Sequence, residues 1–159
     1  MNERAAELVE WLKAQGLKAT TVESCTGGLV AGAITSISGS SAVFEYGFVT
    51  YSNEAKTALV GVPADLFPQF GAVSEPVARA MADGALSRSG ADIALSITGI
   101  AGPTGGTADK PVGMVCFGLA QKGMDTQTQT RQFGNPGRDE VRALSVDLAL
   151  NWAIEALKA

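Results

Sequence analysis

Residues 18–22, KATTV, read as a short strand with a β-branched end. They run straight into the tight loop Ser24-Cys25-Thr26-Gly27-Gly28 and then into the apolar helical stretch Leu29–Ile37. A second strand, Ile93–Thr98 (IALSIT), is apolar enough to be covered on both faces, and it ends in the loop 99–106, which holds four glycines in eight residues. Strands of this kind need helices on both sides of a sheet. In open α/β sheets, ligands bind outside the carboxyl ends of the strands, where such loops lie.

The remaining segments fit that frame. Residues 3–15 predict an amphipathic helix with Ala6, Leu8, Val9, Leu12 and Ala14 inward and Gly16 as its stop. Phe44–Tyr51 reads as a strand, Asn53–Val60 as a short helix and 63–70 as a turn-rich segment. Ser74-Glu75-Pro76 opens a helix through Ser87, with proline at an early position. Residues 112–121 and 126–133 predict two strands joined through Gly123 as a hairpin, so the sheet is expected to be mixed. A last helix begins near Arg138, with Val141, Leu144, Leu148, Trp152 and Ile154 inward and Asp139 pairing with Arg142 on the surface. The expected architecture is an α/β fold: a three-layer α/β/α sandwich with a mixed, about five-stranded sheet. With 159 residues, one domain over 1–159 is expected.

Composition narrows the chemistry. The chain contains no histidine, which excludes a Ser-His-Asp triad and most zinc hydrolase sites. Cys25 and Cys116 make neither a metal-spaced cluster nor a disulfide framework, so no metal and no cofactor is expected, and a reduced, cytoplasmic compartment fits. Net charge is −4 without a lysine or arginine run, so neither nucleic acid nor a membrane surface is an expected partner. The first residues do not read as a signal peptide, and no apolar run is long enough to span a bilayer.

Without imidazole, a hydroxyl nucleophile needs another base, and lysine is the candidate. The stretch GSSAVFEYGFVTYSNEAK (39–56) holds Ser40, Ser41, Tyr51 and Lys56 around one strand. With Ser52 or Asn53 as a cap, Lys56 falls in a helix's first turn, where the dipole disfavours a cation by about 0.3–1 kcal/mol. Burial there would lower its pKa toward that of a general base, whereas a solvated lysine on a polar face fits the same pattern. Ser41 lies in the break between helix and strand, a setting shared by loop nucleophiles and by plain capping serines. Tyr51 can hydrogen-bond the lysine or simply end its strand. The backbone N–H groups of loop 24–28 suit an anion or oxyanion, and Cys25 in that loop is either a rival nucleophile or a small buried thiol. The loop 99–106 can wrap a ligand, and Lys110 and Arg138 can meet a phosphate or serve as surface charges. A nucleotide-binding or interaction module without turnover is the alternative to an enzyme.

TVESCTGGLVA (21–31), residues 39–56, GAVSEPVA (71–78), SITGIAGPTGG (96–106) and KPVGMV (110–115) stand in this order. With them the chain resembles the CinA C-terminal domain family over nearly its whole length. In its stand-alone form this family is known as nicotinamide-nucleotide amidohydrolase. The resemblance implies hydrolysis of the carboxamide of nicotinamide mononucleotide to nicotinic acid mononucleotide and ammonia. It implies Ser41 as nucleophile, with Ser40 as the other member of the pair, Lys56 as base and Tyr51 beside them. Substrate contacts are expected from Ser24, Thr26, Gly27, Thr98, Gly99, Gly102 and Arg138. A homo-oligomer, a dimer first, is expected.

Overall fold

The computed structural model describes residues 2–159. Five strands form one sheet in the order β2-β1-β3-β4-β5, comprising β1 (Ala19–Glu23), β2 (Phe44–Val49), β3 (Ile93–Gly99), β4 (Met114–Gln121) and β5 (Gln127–Gln132). β1 runs parallel to β2 and β3, whereas β4 is antiparallel to both β3 and β5, so the sheet is mixed as expected. The hairpin turns at Gly123, at φ 77°, a conformation glycine adopts without steric cost.

The helices are α1 (Asn2–Gln15), α2 (Leu29–Thr35), α3 (Asn53–Val60), α4 (Leu66–Phe70), α5 (Glu75–Ser89) and α6 (Arg138–Lys158). α1, α2 and α6 cover one face, over Ile93, Leu95, Ile97, Phe117 and Leu119. α5, with α3 and α4, covers the other, over Val22, Ala94 and Ala120. This is the three-layer α/β/α sandwich. In β3 the burial is continuous, as its composition requires. In α5 the buried residues Val77, Ala78, Met81, Ala82 and Ala85 fall at helical spacing, and alanine lets the helix lie close to the sheet. Truncating a fully buried leucine such as Leu95 in this core would cost about 2–5 kcal/mol.

Three local readings change. Ala14 is exposed, because the buried stripe of α1 is Ala5, Leu8, Val9 and Leu12, and Ala14 lies two residues, roughly 200° of rotation, beyond Leu12. In α6 the fully buried face is Val141, Ser145, Val146, Ala149, Leu150, Ala153, Ile154 and Leu157, leaving Leu144, Leu148 and Trp152 only half-buried. The segment 63–70 contains the short helix α4 as well as turns.

Sheet order decides where a site can form. β1 sits between β2, reached through α2, and β3, reached through α3–α5. The connection from β1 turns to one side, to β2, and the connection from β2 crosses back past β1 to β3 on the other, so strand order reverses beside the carboxyl end of β1 and a crevice opens there. Ser24 follows β1 directly, and its N–H donates to the Ile97 carbonyl of β3 at 2.9 Å. Among the described residues, no helix is long and apolar enough to cross a membrane.

Candidate active site

Side chains alternate along β1. Val22 packs on the α5 side, Glu23 turns to α2, and Ser24 turns back toward α3. α3 is set by Ser52, whose hydroxyl accepts from Ala55 N–H at 3.1 Å, so Lys56 stands in the first helical turn as expected. Its stem is buried, with the residue only 2% exposed. Lys56 Nζ donates to Ser24 Oγ and to the Thr50 carbonyl, each at 3.0 Å. Among the described residues no carboxylate lies within ion-pair distance of this amine. Burial pushes the Lys56 pKa below the ordinary lysine value, against a lesser opposing influence from Cys25.

Glu23 was not among the expected site residues. Its fully buried carboxylate accepts from Thr26 Oγ1 at 2.6 Å, Val30 N–H at 2.8 Å and Ala31 N–H at 3.0 Å. The N–H groups that open α2, expected to meet an outside anion, are thus occupied by the chain's own acid. The only sequence signal was an acidic residue ending a strand just before a glycine turn.

Tyr51 and Arg138 form a second cluster at the same end of the sheet. Arg138 Nη2 donates to Tyr51 Oη and Nη1 to the Gly102 carbonyl, both at 2.8 Å. The tyrosine ring is 63% exposed, so its hydroxyl is engaged by the arginine and the ring lies at the rim. Thr98 is buried on β3, and its hydroxyl donates to the Ala72 carbonyl at 2.9 Å, tying the segment before α5 to the sheet. The loop glycines meet protein. A Cβ on Gly99 would lie 2.7 Å from Val115 Cγ2, and one on Gly102 would lie 2.5 Å from Val112 Cγ1. These glycines let the 112–115 strap pack tightly beneath the loop. Lys110 Nζ donates to the Phe70 carbonyl.

Several expected placements are corrected. Ser41 lies in a single 3-10 turn, Ser40–Ala42, before the amino end of β2, whereas Tyr51 and Lys56 follow its carboxyl end. A six-residue strand, roughly 20 Å long, separates them. The structure therefore does not bring Ser41, or its buried neighbour Ser40, to the lysine, and it places Ser24 there instead. Cys25 is buried, and desolvation pushes its thiol up to about 12, so it holds its proton and is a poor nucleophile. Arg142 does not pair with Asp139. Its Nε donates to the Cys25 carbonyl at 3.1 Å and its Nη2 to the Thr26 carbonyl at 3.4 Å. A cavity of about 520 Å³ lies away from this site, between α5 and β5, lined by Glu75, Arg79 and Thr128 among others.

A half-buried serine against a buried, unpaired amine, with turn N–H groups beside it, is an arrangement suited to acyl transfer. The profile of the CinA C-terminal domain family matches residues 1–157. The chain is 50% identical over 154 residues to the nicotinamide-nucleotide amidohydrolase PncC of Enterobacter agglomerans, covering 97% of this chain and 93% of that protein. It is 57% identical over 118 residues to a CinA-like protein of Akkermansia muciniphila, where the match covers 74% of this chain but 28% of the longer relative. Among solved structures, the competence/damage inducible protein CihA of Agrobacterium tumefaciens superposes with a TM-score of 0.96 at 46% identity, covering 99% of this chain and 95% of that one. A CinA superfamily protein of Klebsiella pneumoniae gives 0.94 at 36% identity, covering 99% and 97%. Motif order, fold and whole-length identity agree, and the chain belongs to the CinA C-terminal domain family.

Proposed function

We propose that the protein is a nicotinamide-nucleotide amidohydrolase, with Ser24 as nucleophile and Lys56 as general base. The observation that carries this reading is the 3.0 Å contact between Ser24 Oγ and the buried amine of Lys56. The activity named for the PncC relative supports the substrate class.

Neutral Lys56 takes the Ser24 proton as Oγ attacks the carboxamide carbon of nicotinamide mononucleotide. Backbone N–H groups of the 24–28 turn hold the oxyanion. The tetrahedral intermediate collapses, the C–N bond breaks, and Lys56 returns its proton to the departing ammonia. Water, deprotonated by Lys56, then cleaves the acyl-enzyme to nicotinic acid mononucleotide and frees Ser24. The Thr98 hydroxyl oxygen keeps lone pairs for the carboxamide N–H. Arg138, steadied by Tyr51 and the Gly102 carbonyl, turns its remaining N–H groups to the phosphate. Gly27 and Gly99 shape the site from beneath by leaving room for Arg142 and Val115, and Thr26 braces the turn through Glu23. Self-association, as a dimer first, belongs to the same proposal. β2 is an edge strand that exposes Tyr46 and Val49, and sedimentation would test it.

Ammonia release from nicotinamide mononucleotide tests the assignment. Ser24→Ala should lower kcat by ~10³-fold or more, while Ser41→Ala and Cys25→Ala should stay within about twofold of wild type. Full activity in Ser24→Ala would overturn it.

A further inference from the structure

We infer that Arg142 is a positioning residue that aims the N–H of Thr26 at the oxyanion. This rests on the reading of Ser24 as the nucleophile. The turn Ser24–Gly27 is closed by Gly27 N–H donating to the Ser24 carbonyl at 3.0 Å. Its middle peptide joins Cys25 to Thr26. In a trans peptide the C=O and the following N–H point in opposite directions. Arg142 holds the Cys25 carbonyl at 3.1 Å from the α6 side. The N–H of Thr26 must then point away from α6.

Most neighbouring donors are engaged within the protein. The N–H groups of Val30 and Ala31 go to Glu23, and those of Gly27 and Leu29 go to the Ser24 and Thr26 carbonyls. Among the described residues the N–H groups of Cys25 and Gly28, like that of Thr26, take no protein acceptor, and of the three only that of Thr26 belongs to the peptide whose carbonyl Arg142 holds. That group lies two residues after the Ser24 hydroxyl on a peptide whose carbonyl is bonded to a cation. A cation on the carbonyl draws electron density through the amide and strengthens the N–H as a donor. The second guanidinium contact, to the Thr26 carbonyl at 3.4 Å, fixes the next peptide as well. Gly27 belongs to the same device. Its φ is +57°, and a Cβ there would stand 3.3 Å from Arg142 Nη2, so glycine makes room for the guanidinium.

Such a residue touches no substrate and acts on the transition state through the turn. Arg142→Ala should lower kcat by about 10²-fold, in the range seen when one oxyanion donor is lost, with KM within about twofold. The pH midpoint of kcat/KM should stay where wild type has it, because Lys56 is untouched. Millimolar guanidinium should restore part of the lost rate. In an ¹H–¹⁵N spectrum without substrate, the Thr26 amide should shift upfield in the variant and return with guanidinium. Arg142→Lys keeps the charge but cannot bridge both carbonyls, so it should lose about tenfold in kcat. If Arg142→Ala does not fold, Arg142→Lys decides. A kcat within twofold of wild type in the folded variant, or an unmoved Thr26 amide, overturns the inference. Ser24→Ala is run alongside. If it stays active the nucleophile assignment is at fault, whereas an inactive Ser24→Ala with a fully active Arg142 variant faults the turn alone.

Discussion

Glu23 and Ser24 are neighbours in the chain and serve opposite faces of the sheet. The carboxylate of Glu23 takes the N–H groups of Val30 and Ala31 under α2, while the hydroxyl of Ser24 meets Lys56 Nζ on the α3 side. One residue ties the turn to α2, and the next is left at its edge against a buried amine. Strand alternation is enough to produce this division.

Activity should rise with pH. In the proposed mechanism the base form of Lys56 is the neutral amine, and burial lowers its pKa below the ordinary lysine value of 10.5. The ascending limb of kcat/KM should therefore have its midpoint below 10.5, and Lys56→Arg, which cannot lose its proton, should abolish the limb and lower kcat by ~10²–10⁴-fold. A pH–rate profile with a midpoint at or above the free lysine value would contradict this.

Stability should carry the same signature. The folded state binds the Lys56 proton less tightly than the unfolded chain, so between the depressed folded pKa and 10.5 the unfolded state holds more protons. Stability from this group accordingly rises with pH across that window and is least below it. Urea melts of wild type and Lys56→Met at several pH values should show wild type gaining on the variant as pH increases toward 10.5.

Removing the internal cap should cost folding energy. Glu23→Ala leaves two helix N–H groups and the Thr26 hydroxyl without their acceptor, a loss of about 2–4 kcal/mol. Glu23→Gln keeps one good acceptor and should lose roughly half as much. Thermal denaturation orders the three proteins.

Gly99 should not accept a side chain. A Cβ there would come within 2.7 Å of Val115 Cγ2 and 3.0 Å of the Met114 carbonyl oxygen. Gly99→Ala should destabilise by about 1–3 kcal/mol through overpacking, read as a lower urea midpoint with unchanged m-value.

Much of this was legible in the chain. The strands, the hairpin and the helix 53–60 announced themselves through β-branched runs, glycine stops and the Ser52 cap, and so did the awkward position of Lys56 in a first turn. The partner of that lysine did not. Ser41 is 15 residues from Lys56 and Ser24 is 32, yet the nearer serine lies at the far end of an intervening strand. Only the parallel pairing of β1 with β2 brings the farther one close. Arg142 was equally opaque. At helical spacing from Asp139 it looked like half of a surface pair, and only the docking of α6 beside the 24–28 turn shows what it holds. Polar contacts between segments distant in sequence have no periodicity to betray them.

The carboxylate of Glu23 also bears on which molecules the site refuses. The amino end of α2 has the form of a socket for a free anion, but an acid held in the same chain, seven residues before Val30, competes for it at an effective concentration no dissolved phosphate can match. The N–H groups of Val30 and Ala31 are thereby closed to inorganic anions, and in the proposed reaction the substrate would enter with its amide toward Ser24 and its phosphate facing outward.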